Sequence, residues 1–278
     1  MDGNVLWQYQ IPVALYRGKH GKRNHLNDVE LLPDGNILFN IALVGAYEIS
    51  KDGELVWKHL DSEMSHDVDR LENGNTLYVR GWVNRGGVHV VEVDPDGNEV
   101  WSWDGMETYN KKPFNKVSHQ GWFHVNGITR MKNGNTLISV RNLSRLVEVD
   151  KDGKMVSEKV FGKKGKGSLK KKNIIAQHDP EVLSNGGIIV PLTKVNKVIE
   201  LSPERKKVWE WQDPAGKKAK KGIRDANRLP NGNTLIAQFN KIIEVTKNGD
   251  TVLELMIPGI HYSKKEMNKF LYKAMRTR

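Results

Sequence analysis

Asn73-Gly74-Asn75-Thr76-Leu77 is one of three copies of a single pentapeptide, and the other two begin at Asn133 and Asn231. Two close variants begin at Asp34 and Asn185. Asn-Gly and Asp-Gly tolerate positive φ at both positions, so we expect each copy to form a two-residue type I′ hairpin turn. The apolar and β-branched residues that follow favour strands. A motif repeated five times predicts five copies of one structural unit.

A second turn follows each pentapeptide after a short apolar segment. It ends in glycine in four units, at Gly53, Gly97, Gly153 and Gly249, and in Arg205 in the fourth unit along the chain. Each unit therefore contains two hairpins and four strands. Units of this size are typical of propeller blades with loop insertions. We predict an all-β protein, a β-propeller of four-stranded antiparallel blades, over residues 1–260.

The first residues match the end of a unit. Asp2-Gly3-Asn4-Val5-Leu6-Trp7 repeats the second half of a second hairpin, and Trp7 has the same offset as Trp57 and Trp101. We expect an outer strand at residues 2–10 and tryptophans packed between blades. Two interpretations remain open: the strand closes the ring against another blade, or it is the remainder of a sixth blade.

The last residues follow a different pattern. Ser263 and Glu266 fit a capping box, and apolar residues recur at helical spacing from Met267 to Met275. We predict a short amphipathic helix within residues 261–278 that docks on the propeller. A helix that binds a partner is the alternative.

Composition narrows the functional classes. The net charge is +11, and lysines concentrate at residues 163–172 and 217–221. These runs are solvated loops or an electrostatic funnel for an anionic ligand, and their lack of aromatic residues disfavours nucleic acid. The absence of cysteine excludes disulfides and thiol chemistry.

Targeting signals are not visible in this sequence. No apolar stretch is long enough to span a membrane, and the first twenty residues lack the pattern of a secretory signal. We therefore expect a cytoplasmic protein. A periplasmic or extracellular location is expected if further residues precede Met1.

Alignment of the units on the first turn glycine reveals a polar column eight residues upstream. The column contains Asn27, His66, Asn126, His178 and Arg224. Two further histidines, His25 and His124, lie ten residues upstream of their turn glycines. These positions open the innermost strand of each blade, so their side chains should converge at one mouth of the central channel.

Strand pairing adds Arg141 to this group. A two-residue turn at Asn133-Gly134 places Asn126 opposite Arg141, with His124 on the diagonal. Imidazoles and guanidinium groups at one mouth predict an anion site with histidines available for nucleophilic or acid–base chemistry. Alternatives are histidines that only bind loop carbonyls, and a zinc site of three imidazoles, which the cationic surroundings disfavour.

Three motifs carry a resemblance to a known family. They are Ser65-His66-Asp67-Val68-Asp69-Arg70-Leu71; Gly121-Trp122-Phe123-His124-Val125-Asn126-Gly127-Ile128 with Ser139-Val140-Arg141; and Gln177-His178-Asp179-Pro180-Glu181. In order and hairpin context they resemble motifs of the PAPS-independent bacterial arylsulfate sulfotransferases (the ASST family), whose core is a six-bladed propeller.

The resemblance implies a reaction and a division of roles. It implies that His178 accepts a sulfuryl group as a sulfohistidine, and that His66, His124 and Arg141 bind the sulfate oxygens. The substrates would be an aryl sulfate and a phenol, with no nucleotide cofactor and no metal. The column alignment adds Arg224, Asn126, His25 and Asn27 as substrate-binding candidates. A non-catalytic propeller that binds an anionic ligand or a protein at the channel mouth is the alternative.

Overall fold

The computed structural model describes residues 4–16, 26–81, 87–116, 122–161, 175–214, 222–257, 271 and 273–275. In this part of the chain, twenty strands form five four-stranded antiparallel sheets, each in sequential strand order. The five predicted blades are confirmed.

The blades follow one another along the chain. Blade 1 comprises β1 (Leu26–Leu31), β2 (Ile37–Ile41), β3 (Gly45–Ile49) and β4 (Leu55–Leu60). Blade 2 comprises β5 (Met64–Arg70), β6 (Thr76–Arg80), β7 (Val90–Val93) and β8 (Glu99–Trp103). Blade 3 comprises β9 (Val125–Arg130), β10 (Thr136–Val140), β11 (Arg145–Val149) and β12 (Met155–Val160). Blade 4 comprises β13 (Glu181–Val182), β14 (Ile188–Leu192), β15 (Lys197–Leu201) and β16 (Lys207–Gln212). Blade 5 comprises β17 (Asp225–Arg228), β18 (Thr234–Gln238), β19 (Lys241–Val245) and β20 (Thr251–Met256).

Helices are short in the described residues. The two α-helices are α1 (Val13–Tyr16) and α2 (Gly105–Tyr109), and single 3₁₀ turns include Arg141–Leu143 and Thr193–Val195. None of the described helices is long and apolar enough to cross a membrane.

The first strand of each blade lies innermost. β1 contacts β5, β5 contacts β9, and β13 contacts β17, as expected when first strands surround a common axis. A separate apolar cluster fills each interface between successive blades, for example Leu38 and Ala46 of blade 1 against Val68 and Val91 of blade 2. Residues that open the first strands are therefore placed around the channel.

The hairpin turns differ from the prediction. At the turn of blade 3, the Gly134 amide donates to the Met131 carbonyl (2.9 Å) and the Met131 amide donates to the Asn135 carbonyl (2.8 Å). Gly134 has φ +84°, whereas Asn133 is not among the residues with positive φ. This is a three-residue loop with a glycine bulge, not a two-residue type I′ turn. Asn133 instead accepts a hydrogen bond from the Asn135 amide (3.0 Å), which fixes the turn locally.

Tryptophans pack between blades as predicted. The Trp57 indole donates to the Pro95 carbonyl of blade 2 (3.0 Å), and the Arg70 guanidinium lies 4.5 Å from its ring centroid. Arg70 also pairs with Glu48 (2.8 Å). The same arrangement recurs with Trp101, Arg130 and Glu92, and with Trp209, Arg228 and Glu200. Each set joins one blade to the next at the rim of the ring.

The predicted N-terminal strand is not observed, because residues 4–12 are assigned no strand. These residues lie across blade 1, where Tyr9 and Ile11 pack against Phe39 and Tyr47, so their backbone has no ladder partner there. The side chains of these residues nevertheless lie where the alignment of Trp7 with Trp57 predicts. A Cβ on Gly53 would lie 3.3 Å from the Tyr9 ring, much as a Cβ on Gly97 would lie 3.2 Å from the His59 ring.

Most of the predicted C-terminal helix lies outside the described residues. Within its span the structure describes Leu271 and residues 273–275, and it assigns no helix to them. Leu271 and Ala274 pack against Leu229 and Leu235 of blade 5. These described residues therefore dock on the propeller, and a helix over the rest of residues 261–278 stays a prediction.

Candidate active site

The inner strands are irregular at the polar column. The pairing of β1 with β2 shifts between Leu26 and Asp28, and that of β5 with β6 shifts between Ser65 and Val68. Three column or flanking residues have positive φ: His66 (28°), His124 (52°) and Asp179 (31°). Side chains other than glycine rarely adopt this conformation, and such positions are common at functional sites. In a regular strand, successive side chains point to opposite faces of the sheet, and these interruptions change that direction.

The three motif histidines meet at one place. The ring centroids of His66 and His124 are 4.5 Å apart, with the planes tilted by 60°. The charges of Arg224, Arg141 and His124 all act on His178. All three histidines are buried, with exposed fractions of 6 to 8%. The structure thus brings together His66, His124, His178, Arg141 and Arg224.

The environment of His178 favours its neutral form. Burial lowers the pKa of His178 well below 6.5, and the neighbouring Arg224, Arg141 and His124 lower it further. A hydrogen bond to the backbone of Arg224 acts weakly in the opposite direction. A neutral imidazole has a lone pair available for attack, so His178 is suited to nucleophilic chemistry near neutral pH.

Arg141 lies beside His124, not opposite Asn126 as predicted. Val140 pairs with Val125, because the glycine bulge in the turn and the irregularity in β9 both shift the register. Arg141 begins the 3₁₀ turn Arg141–Leu143, and its guanidinium donates to the Asn142 side chain (3.0 Å). The backbone amide of Asn142 donates to the Phe123 carbonyl (3.0 Å). The partner of Arg141 is therefore bonded to the residue that precedes His124.

Asn126 connects blade 3 to blade 4. Its side-chain oxygen accepts from the Ser139 hydroxyl (2.8 Å), and its side-chain nitrogen donates to the Gln177 carbonyl (3.0 Å). Gln177 precedes His178, so these bonds set the position of the third motif relative to the second. They explain why the Trp-x-His-x-Asn strand is combined with Ser-x-Arg. A direct role of Asn126 in substrate binding stays a prediction.

The two residues that precede His124 belong to a buried aromatic cluster. Trp122 and Phe123 are buried and stacked, with centroids 4.1 Å apart. Phe123 also packs on His89 at 4.6 Å. Burial lowers the pKa of His89 to about 4, and its Nδ1 accepts the Gly105 amide at 3.2 Å. His89 is thus a neutral structural histidine, outside the group predicted from the sequence.

The residues that follow the polar column in the sequence form a layer of carboxyl groups next to the site. It contains Asp28, Asp67, Asp179 and Asp225, which act on one another electrostatically. Burial raises the pKa of Asp179 to about 6 and that of Asp225 to about 8. The Lys273 ammonium lies 3.0 Å from the Asp28 carboxylate and 3.7 Å from that of Asp179. Sequence reasoning missed Lys273 because it assigned this residue to a helix.

A cavity of about 750 Å³ opens beyond this layer. Its lining includes Glu30, Asp69, Glu181 and Lys273 and none of the three motif histidines. Asp179 and Asp225 of the carboxylate layer also line the cavity, which is therefore separate from the histidine cluster. Arg141 and Arg224 do not line this cavity either, so the candidate active site is the cluster of imidazoles and guanidinium groups and not the cavity. The described residues contain no group of three or more histidine, aspartate or glutamate side chains that could hold a metal ion.

Comparison with known proteins identifies the family. A model of the arylsulfotransferase (ASST) family matches residues 1–175, more than half of the chain. This chain belongs to the arylsulfotransferase family. The matched part of this family member contains His66, His124 and Arg141, and His178 lies three residues beyond its end. Membership suggests an arylsulfotransferase-like function with aryl sulfate and phenol substrates. No curated protein matches the chain significantly.

Solved structures share the fold at low sequence identity. A protein of unknown function from Bacteroides caccae is 18% identical, with a TM-score of 0.64 over 95% of this chain and 88% of that chain. A catalytically inactive virginiamycin B lyase from Staphylococcus aureus, solved with quinupristin, is 15% identical, with a TM-score of 0.57 over 86% and 72% of the two chains. These similarities show the propeller fold alone.

The remaining predicted residues have mixed outcomes. Asn27 is buried, and its side-chain nitrogen has no hydrogen-bond partner among the described residues, which is compatible with donation to a ligand. His25 and both lysine runs lie outside the described residues. Their predicted roles stay predictions.

Proposed function

We propose that this protein transfers a sulfuryl group from an aryl sulfate to a phenol through a sulfohistidine at His178. The observation that carries the proposal is the convergence of three buried histidines and two arginines in a chain of the arylsulfotransferase family. The depressed pKa of His178 supports its role as the nucleophile. No nucleotide takes part in the proposed reaction.

The proposed chemistry has two balanced steps. A lone pair of the His178 imidazole attacks sulfur, an N–S bond forms, and the S–O bond to the aryl group breaks to release a phenolate. The acceptor phenol then attacks the same sulfur, its O–S bond forms and the N–S bond breaks. The acceptor loses one proton and the released phenolate gains one, so the overall transfer needs no added acid or base.

The cations would act on the peripheral oxygens of the transferred group. Charge accumulates on these oxygens in a loose transition state, as in phosphoryl transfer. Fixed positive groups in a buried site stabilise such charge without reorganisation. We assign this role to Arg141, with His66 and His124 as hydrogen-bond donors, and add Arg224 because its charge also acts on His178.

Turnover of 4-nitrophenyl sulfate in the presence of phenol tests the proposal. The wild-type protein should release nitrophenolate and form phenyl sulfate, and His178→Ala should abolish both. Arg141→Ala should retain a residue of activity, with a loss of about 10²–10³ in kcat, as for removal of one oxyanion donor. His59→Ala, on the outer strand β4, is the control and should keep wild-type turnover.

Turnover and binding measured together distinguish the non-catalytic alternative. If the protein only binds anions, titration calorimetry will show binding of 4-nitrophenyl sulfate to the wild-type protein, and the turnover assay will show no product with any phenol. Such a result would reject the enzymatic function while leaving the anion site in place.

A further inference from the structure

Aspartate side chains accept backbone amides of the next inner strand at two of the interfaces between blades. The Asp28 carboxylate of blade 1 accepts the Val68 amide of blade 2 (3.5 Å). The Asp67 carboxylate of blade 2 accepts the Ile128 amide of blade 3 (2.6 Å). In each case the column aspartate binds the amide one residue beyond the same column in the next blade.

The C-terminal segment continues this pattern. The Asp225 carboxylate of blade 5 accepts the Ala274 amide at 2.9 Å, so Ala274 occupies the place of Val68 and Ile128. Lys273 therefore lies in the aspartate column. The Asn227 side chain also donates to the Ala274 carbonyl (3.0 Å), and the Leu271 amide donates to the Phe239 carbonyl (2.9 Å). Residues around Lys273 thus lie where the inner strand of a further blade would lie.

Lys273 links the two ends of the described ring. The segment is attached to blade 5, yet the ammonium reaches Asp28 of blade 1 at 3.0 Å and Asp179 of blade 4 at 3.7 Å. The Lys273 side chain is 12% exposed. Its charge therefore acts on a layer of four acidic groups, and burial together with the proximity of these groups raises the pKa of Asp67, Asp179 and Asp225. Removal of one partner from a buried ionic group leaves uncompensated charge.

The layer is directly coupled to His178. Asp179 follows His178 in the chain, has φ 31°, and donates its amide to the Asn126 carbonyl (3.3 Å). A shift of the Asp179 carboxylate would move the backbone that carries the imidazole. The position and local charge of His178 thus depend on the counter-ion of Asp179.

We propose that Lys273 is a positioning residue, supplied by a segment that stands in for the inner strand of a sixth blade, and that its ammonium holds Asp179 and thereby His178 in place. The role in catalysis rests on the function proposed above. The role in charge balance does not, and it is measurable without turnover. Lys273 faces carboxylates from blades 1, 2, 4 and 5, namely Asp28, Glu30, Asp67, Asp69, Asp179 and Asp225.

The test compares Lys273→Met with the double variant Lys273→Met/Asp28→Asn and with Lys58→Met, an exposed control on β4. NMR titration of the His178 ring should show its pKa raised by about one unit in Lys273→Met, because unbalanced carboxylates favour the imidazolium. The double variant should return this pKa toward the wild-type value. Lys58→Met should leave it unchanged. An unchanged His178 pKa in Lys273→Met would overturn the proposal.

Thermal unfolding gives a second readout that does not depend on activity. Lys273→Met should lose more thermal stability at pH 8 than at pH 5, since the carboxylates take up protons in acid. If Lys273→Met does not fold at pH 8, the double variant should fold there. Equal losses at both pH values, or no rescue by Asp28→Asn, would contradict the inference. Where wild-type turnover exists, Lys273→Met should lower kcat with little change in KM, whereas absent wild-type turnover would reject only the proposed function.

Discussion

Gly127 shows how one small residue shapes the site. It occupies the column position that holds aspartate in blades 1, 2, 4 and 5. A Cβ at Gly127 would lie 2.6 Å from the Pro180 ring and 2.9 Å from the Asp179 Cα. Any larger side chain would therefore push on the backbone next to His178. The reason for glycine here is close approach between two blades.

Gly127→Ala should impair activity more than stability. We expect a loss of about 1–3 kcal/mol in unfolding free energy, as for overpacking of a core, together with a strong fall in kcat because His178 is displaced. Gly134→Ala is the matched control, since its Cβ meets open space and only the φ of +84° is strained. Urea unfolding and 4-nitrophenyl sulfate turnover measure both effects. Equal kcat values for the two variants would contradict this role of Gly127.

An arginine that joins successive blades is absent from blade 4, and an arginine from another turn replaces it. Arg70, Arg130 and Arg228 each donate to the glycine carbonyl of their own first turn. Blade 4 has Val182 at the corresponding position. There Arg205, from the second turn, donates to the Gly186 carbonyl (3.2 Å) and pairs with Glu148 (2.8 Å). Arg205 has φ 62° where other blades have glycine.

A double-mutant cycle tests this compensation. Arg205→Gly relieves the backbone but removes the charged hydrogen bond, so we expect a net loss of about 1–2 kcal/mol in unfolding free energy. Val182→Arg should restore at least half of that loss in the Arg205→Gly background and give no gain in the wild-type background. Urea unfolding of the four proteins measures the coupling. Purely additive changes would show that the two positions do not share a guanidinium site.

Local sequence patterns were sufficient to predict the five blades and to locate the histidines of the candidate site. Turn glycines such as Gly74 and Gly134 set the period, and alignment on them located His66 and His178. The same alignment failed on register, because a glycine bulge and a two-residue turn look alike in sequence. Arg141 was therefore expected opposite Asn126 and is found beside His124. The contact of Lys273 with Asp28 joins residues at opposite ends of the chain, which no local pattern encodes.

The two terminal segments pack on the first and the last blade of the series. Residues 4–12 pack their side chains on blade 1 as an outer strand would, and Ala274 bonds to blade 5 as an inner strand would. The prediction of a strand at residues 2–10 captured this packing and missed that no ladder forms. Both interpretations of the N-terminus that the sequence left open therefore stay open.

The buried carboxylates predict how the stability of the molecule depends on pH. Burial raises the pKa of Asp225 to about 8 and that of Glu181 to about 7. Each group binds its proton more tightly when folded, so stability is lost as the pH rises through these values. The lowered pKa values of His178 and His89 act oppositely, but their contribution is complete above their ordinary value of 6.5. Between pH 6.5 and 8 the unfolding free energy should therefore fall.

Asp225→Asn should flatten this pH dependence. Each titrating group contributes a slope of at most about 1.4 kcal/mol per pH unit, and the variant removes the group with the higher of the two pKa values. Asp96→Asn, in an exposed turn of blade 2, should keep the wild-type slope. Urea unfolding at several pH values gives the slopes. A wild-type slope in Asp225→Asn would contradict the assignment.

The central claim is that His178 forms a covalent bond to sulfur during turnover. The most direct measurement is mass spectrometry of the protein quenched rapidly after mixing with 4-nitrophenyl sulfate in the absence of phenol, followed by peptide mapping. The account predicts one added sulfuryl group on the peptide containing His178, lost when phenol is added before the quench and absent from His178→Ala. A sulfuryl group on another residue, or turnover with no adduct at any quench time, would contradict it.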